Sequence, residues 1–149
     1  QDSTLIARCL LSSGRSLCAS PDYLAQHGTP QTVAELAGHR AILLPQDPPR
    51  YWPVQGESIA CQRVLACNNI TFAREAALAG AGIVGLPHMI CREALQDGRL
   101  LELLPQACLP TSEIYALYPS RRFQAMKVKA FLDFLISRLP AEVGPLLEP

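Results

Sequence analysis

The stretch Phe72–His88, FAREAALAGAGIVGLPH, changes character halfway along its length. An alanine-rich run closes on Gly80-Ala81-Gly82 and gives way to the short apolar segment Ile83-Val84-Gly85-Leu86-Pro87. Ala73, Ala76, Ala77 and Ala79 predict a helix smooth enough to lie close on a sheet, and the glycines allow a turn that larger residues would obstruct. Leu86-Pro87 ends the strand that follows, and Asn68-Asn69 stands just before the helix, where a preceding strand ends.

The pattern extends outward in both directions. Downstream, Pro87 to Gln96 predicts a helix closed by Gly98, Leu100 to Leu104 a strand and Glu113 to Tyr118 another. Upstream, Ile59 to Cys67 reads as one strand, preceded by the turn Gln55-Gly56-Glu57-Ser58 and by Tyr51 to Val54, which Pro53 keeps at an edge. Ala41-Ile-Leu-Leu-Pro45 is an unbroken apolar run of the kind found in strands covered on both faces, and the polar QDPPR after it is a loop. Thr32-Val-Ala-Glu35 predicts a capping box on a helix closed by Gly38. Ser20 and Pro21 suit the N-cap and first position of a helix ending at Gly28. Leu5 to Leu11 and Arg15 to Ala19 read as two strands around Ser12-Ser13-Gly14.

Strands alternating with helices of about ten residues indicate βαβ units, hence the α/β class with a mainly parallel sheet flanked by helices. Ligands of such sheets bind beyond the carboxyl ends of the strands. The candidate rim is therefore Pro45-Gln46, Asn68-Asn69-Ile70-Thr71 and Pro87-His88. In the final segment Val128, Phe131, Leu132, Leu135 and Leu139 form one apolar stripe of a helix, which needs a partner surface.

Composition narrows the function. With 149 residues, 49% of them hydrophobic, the chain has enough apolar material for a globular core. Thirteen basic residues balance thirteen acidic ones, so no global field draws it to nucleic acid or anionic lipid. No apolar run reaches the ~20 residues of a membrane span and no signal-peptide pattern opens the chain, so a cytoplasmic location is expected. The six cysteines show no Cys-x-x-Cys pair and are expected to be buried, reduced thiols. His27, His39 and His88 are far apart without ligand-spaced neighbours, so no metal is expected. Gly80-Ala-Gly82 precedes a strand and not a helix, which rules it out as a dinucleotide fingerprint. With neither a Gly-x-Ser-x-Gly elbow nor a phosphate-binding loop, no enzyme and no cofactor are expected. Arg121-Arg122 reads as a solvated pair.

Three stretches in order, DSTLIARCL…RSLCASPDYLAQHGTP, ACNNITFAREAALAGAGIVGLP and YALYPSRRFQAMKVKAFLDFL, together resemble the effector-binding domain of LysR-type bacterial transcriptional regulators. The resemblance covers Asp2 to Leu139. It implies a periplasmic-binding-protein-like (type 2) fold of two α/β lobes with a small effector between them. On this reading residues 1–19 and 118–139 are remnants of the first lobe, 20–117 is the second lobe and 140–149 a C-terminal tail. Arg15 to Ser20 would be the first crossing between lobes and Ile114 to Tyr118 the return. The winged helix-turn-helix and the opening of the first lobe are not in this sequence. The chain is thus expected to be the C-terminal part of a longer regulator, to reach operator DNA only through that other domain, and to expose the stripe of its last helix or bury it in another chain.

Effector contacts are expected first at Asn69, where an amide at a helix N-cap can serve the backbone and still face a ligand, although such residues often only cap. Thr71, in the first helical turn, is placed to receive a carboxylate. Neighbouring Asn68 and Ile70 complete that segment. The resemblance adds Gln46, Ala19, Ser20 and Leu5; His88, a lone histidine at a helix start near the rim, reads as structural. It implies a ligand-sensing module that binds a small, plausibly carboxylate effector, pairs into a homo-oligomer and does not engage a membrane. The competing reading is a stand-alone solute-binding protein of the same fold.

Overall fold

The structure, a computed structural model, describes residues 5–107, 109–119 and 126–143, the last four of these by backbone alone. Five strands make the central sheet, in the order β6 (Gln62–Ala66), β3 (Arg40–Leu43), β7 (Ile83–Pro87), β2 (Arg15–Ala19) and β8 (Leu101–Leu103). β6, β3 and β7 are parallel, β2 is antiparallel to β7, and β8 is antiparallel to β2. Four of the five strands therefore run one way and only β2 opposes them, which bears out a mainly parallel sheet.

Alternation along the strands divides the core between the two faces. Ala41 and Leu43 of β3 and Leu17 of β2 join Tyr23, Leu36, Trp52 and Val54 on one face. Ile42, Cys18 and Val84 join Ala73, Ala77, Cys91 and Ala94 on the other. The second face is covered by α2 (Ile70–Leu78) and α3 (His88–Gln96). The first is covered by α1 (Pro21–His27), a 3-10 helix (Val33–Gly38) and the hairpin of β4 (Tyr51–Val54) with β5 (Glu57–Ala60).

The opening stretch folds as expected. Ala73 and Ala77 are fully buried against the sheet, so α2 lies close on it. Gly80, at φ +78°, turns the chain out of α2. A Cβ on Gly82 would stand 2.6 Å from the Arg40 carbonyl oxygen, so this glycine lets β7 start directly beside β3.

β1 (Leu5–Ser13) pairs with β9 (Ser112–Pro119) in a separate antiparallel sheet, against which α4 (Met126–Val143) packs through β1. On α4, Leu132 is buried and Leu135 and Leu139 are half-buried, whereas Val128 and Phe131 are exposed, so the stripe is only partly covered in this chain. Arg121-Arg122 lie outside the described residues.

Several local expectations are corrected. Arg15 to Ser20 is no crossing segment: Arg15–Ala19 is a buried strand of the central sheet, and the chain changes sheets at Gly14. Ile59 to Cys67 is divided, because Cys61 separates β5 in the hairpin from β6 in the central sheet. The hairpin turn is the two residues Gln55 and Gly56, both at positive φ, the geometry that matches strand twist. Pro87 ends β7 and α3 begins at His88. The capping box forms in altered form: Glu35 accepts from the Gln31 amide and the Thr32 hydroxyl, and Thr32 makes no side-chain cap on a segment that is 3-10 rather than α. Among the cysteines only Cys18 and Cys91 are buried, Cys9 is exposed, Cys61 and Cys67 are intermediate, and Cys108 lies outside the described residues.

Candidate functional site

Strand direction decides which residues meet. The carboxyl ends of β6, β3, β7 and β8 and, because β2 is reversed, the amino end of β2 all lie at one edge of the central sheet. That edge carries Cys67-Asn68-Asn69, Leu44-Pro45-Gln46-Asp47, Pro87-His88, Gly14-Arg15 and Leu104-Pro105. The His88 amide donates to the Gly14 carbonyl at 3.0 Å and joins two of these segments.

Asn69 is the N-cap of α2, its Oδ1 accepting from the Phe72 amide at 3.0 Å. This oxygen is committed to the backbone, and the cap is worth about 1 kcal/mol. Asn68, by contrast, makes no side-chain hydrogen bond among the described residues and lines a cavity of about 310 Å³. The cavity is walled by Leu43, Leu44, Pro45, Pro49 and Ala66, with Arg63, Cys67 and Asp47 completing it. Thr71 is exposed in the first turn of α2, Ile70 packs partly into the core beneath, and Gln46 points outward from its turn.

Ala19 and Ser20 do not join this edge. β2 runs antiparallel to β7, so its last residue lies at the opposite end of the sheet, where Ala19 pairs with Leu101. Ser20 caps α1 by accepting from the Tyr23 amide, and its hydroxyl lies 3.7 Å from a Cβ built on Gly80, beyond the far end of α2 from Asn69. Leu5 pairs with Pro119, eight residues before Ser13 on β1, roughly 25 Å of extended strand from the rim.

Arg15 and Asp47 take the place that Ala19 and Ser20 were expected to fill. Arg15 Nη2 donates to Asp47 Oδ1 and to the Gly85 carbonyl, both at 2.9 Å, and the two side chains are 3% and 0% exposed. Asp47 Oδ2 accepts from the Leu44 amide at 2.9 Å and the Asp47 amide donates back to the Leu44 carbonyl at 2.9 Å, so both ends of the Pro45-Gln46 turn are closed. The pair ties the rim loop to the point where the chain changes sheets. It also stands between two hollows: Asp47 lines the 310 Å³ cavity and Arg15 a neighbouring one of about 410 Å³. The second is lined by Gly14, Ser16, His88 and Glu102 on one side and by Pro105 and Thr111 on the segment leading to β9. Ser16 donates to Glu102 there at 2.5 Å. The Arg15 Nε has no partner among the described residues.

Nothing in the sequence names Asp47 as the partner, but one signal was available. An arginine opening a strand that is buried along its whole length requires a buried acceptor. Among the described residues, no group of three or more His, Cys, Asp or Glu side chains is placed to hold a metal ion. No helix among them is long and apolar enough to cross a membrane.

The family model for the LysR substrate binding domain matches residues 1–140. The chain belongs to the LysR substrate-binding domain family. It is 34% identical over 143 residues to the HTH-type transcriptional regulator CrgA of Neisseria meningitidis serogroup B, covering 93% of this chain and 48% of that regulator. This LysR domain also resembles the solved regulatory domain of CrgA, with a TM-score of 0.75 at 34% identity over 93% of this chain and 71% of that one. The full-length Vibrio cholerae virulence activator AphB, a member of the same family, matches with a TM-score of 0.74 at 32% identity, over 92% of this chain and 49% of that one. The LysR chain thus spans about half the length of the curated relatives it matches, and its fold is the type 2 periplasmic-binding-protein-like fold of their regulatory domains. The family is one of regulators and not of enzymes.

Proposed function

We propose that this domain is the effector-sensing module of a LysR-type transcriptional regulator, and that its effector, a small carboxylate, binds at the carboxyl-end rim between Leu44 and Asn68. The observation that carries this reading is the convergence of the rim with both chain passages between sheets, at Gly14 and at residues 104–111. A ligand seated there rests against the Pro45–Asp47 turn, which the Arg15–Asp47 pair ties to the passage at Gly14.

The lobes divide at those passages. β1, β9 and α4 belong to the first lobe, and the five-stranded sheet with its helices and hairpin forms the second. Binding acts by population shift: an effector that prefers one lobe arrangement biases it, with a coupling free energy of about 1–3 kcal/mol. The arrangement of subunits in a homo-oligomer then carries the bias to helix-turn-helix domains, which alone contact operator DNA, in the cytoplasm. The exposed Phe131 and Leu117, 60% and 64% accessible, support a further surface packing over β9 and α4.

The test is a thermal-shift survey of small acids on the domain, followed by reporter transcription in the parent regulator carrying Asn68→Ala or Thr71→Val. A blunted effector response with unchanged protein level is expected. An unaltered response in both variants refutes the site.

A further inference from the structure

Arg63 sits three residues before Ala66 on β6, and strict alternation would turn the two to opposite faces of the sheet. They share a face instead. Arg63 pairs with Ala41, Leu65 with Ile42 and Ala66 with Leu43, so Val64 is an extra residue, a β-bulge. Ala41 and Leu43 both belong to the core face covered by α1 and the hairpin, and their partners Arg63 and Ala66 are therefore on that face too. Bulges commonly re-aim a side chain next to a site.

The result is a cavity with a defined polarity. Its walls at Leu43, Leu44, Pro45, Pro49 and Ala66 are apolar. Its one carboxylate, Asp47, is fully buried and already met by Arg15 and the Leu44 amide. Arg63 and Asn68 line the same cavity with no hydrogen-bond or ion-pair partner among the described residues. The charge left over is a single cation beside an amide. At about 310 Å³ the space is at the lower end of the ~300–1,000 Å³ typical of small-molecule pockets.

Resting on the effector-sensing reading, we propose that Arg63, aimed by the bulge at Val64, determines the specificity of this site by holding the carboxylate of a small apolar monocarboxylic acid. The Asn68 amide donates to the same group, and the apolar body lies on Leu44, Pro45 and Ala66. A second carboxylate on the ligand would meet apolar wall or the buried Asp47, so dicarboxylates are disfavoured.

The test titrates the domain with benzoate, hexanoate, succinate and benzyl alcohol, following backbone amide NMR shifts. Benzoate or hexanoate is expected to shift Leu44, Ala66 and Asn68, with succinate and benzyl alcohol at least tenfold weaker. Arg63→Gln is expected to weaken the acid by about tenfold or more, the scale of a charge-assisted hydrogen bond. Arg63→Lys, which keeps the charge but loses the planar fork, should fall between, and Arg99→Gln should change nothing. Benzyl alcohol binding as well as benzoate, or Arg63→Gln binding benzoate like the parent chain while Thr71 and His88 still shift, overturns the role of Arg63 and leaves the sensing reading intact. No shift at any rim amide with any probe overturns both.

Discussion

Removing Asp47 should cost far more than removing one member of an exposed ion pair. In Asp47→Ala the Arg15 guanidinium, its side chain only 3% exposed, keeps the Gly85 carbonyl as its sole hydrogen-bond partner among the described residues, and the Leu44 amide loses its acceptor. Leaving one member of a buried ion pair uncompensated costs about 3–5 kcal/mol. A domain of this kind holds only ~5–15 kcal/mol of net stability, and with a urea dependence of ~1–3 kcal/mol per molar the unfolding midpoint should fall by about 2 M. The double variant Arg15→Met/Asp47→Leu buries no charge and forfeits only two backbone hydrogen bonds. It should therefore be more stable than Asp47→Ala alone. Urea unfolding followed by far-UV circular dichroism reads both. A loss under ~1 kcal/mol for Asp47→Ala would place the pair among exposed ion pairs, and that result, or a double variant weaker than the single, would refute the reasoning.

Four further substitutions probe the frame around the site. Gly82→Ala should destabilise by about 1–3 kcal/mol in the same urea assay, because its Cβ would meet the Arg40 carbonyl at 2.6 Å and a backbone atom cannot step aside cheaply. Asn69→Ala should lose about 1 kcal/mol of the α2 cap, whereas Asn68→Ala should leave stability unchanged and affect ligand binding alone. The last concerns His39. Tyr23's hydroxyl accepts from the Arg40 amide at 3.0 Å and shares a hydrogen bond with His39 Nδ1, also at 3.0 Å. Burial first, and then the charge of His27, hold the His39 pKa below its ordinary 6.5, while Glu35 pulls the other way. The unfolded chain therefore takes up this proton at higher pH than the folded one. Stability from this site is full above pH 6.5 and is lost as pH falls from there toward the folded pKa. Unfolding midpoints measured across that window should flatten in His39→Gln.

How much was legible beforehand follows from the range of each interaction. The α2–turn–β7 unit was readable because its causes lie within a few residues of one another: small residues on one helical face, Gly80 at positive φ and an apolar strand. The caps at Ser20 and Asn69 were readable for the same reason. Ala19 and Ser20 were misplaced because the direction of β2 is fixed by its pairing with β7, about seventy positions away in the chain, and no local pattern encodes it. Arg15–Asp47 spans 32 positions and was missed on the same ground. The bulge at Val64 was hidden because it is a property of pairing with β3, and it reverses the face that alternation assigns to Arg63. The capping box was recognised, but Glu35 reaches one residue further back, to Gln31, on a 3-10 segment too short to use it in the usual way.

The central claim is that a small ligand is read at the carboxyl-end rim of the five-stranded sheet. It is tested most directly by a crystal structure of the domain with the acid that most raises its thermal midpoint. That acid is expected between Leu44 and Asn68, with its carboxylate toward Arg63. Density instead at the opposite end of the sheet beside Ser20 and Gly80, or in the groove between β9 and α4, would contradict it.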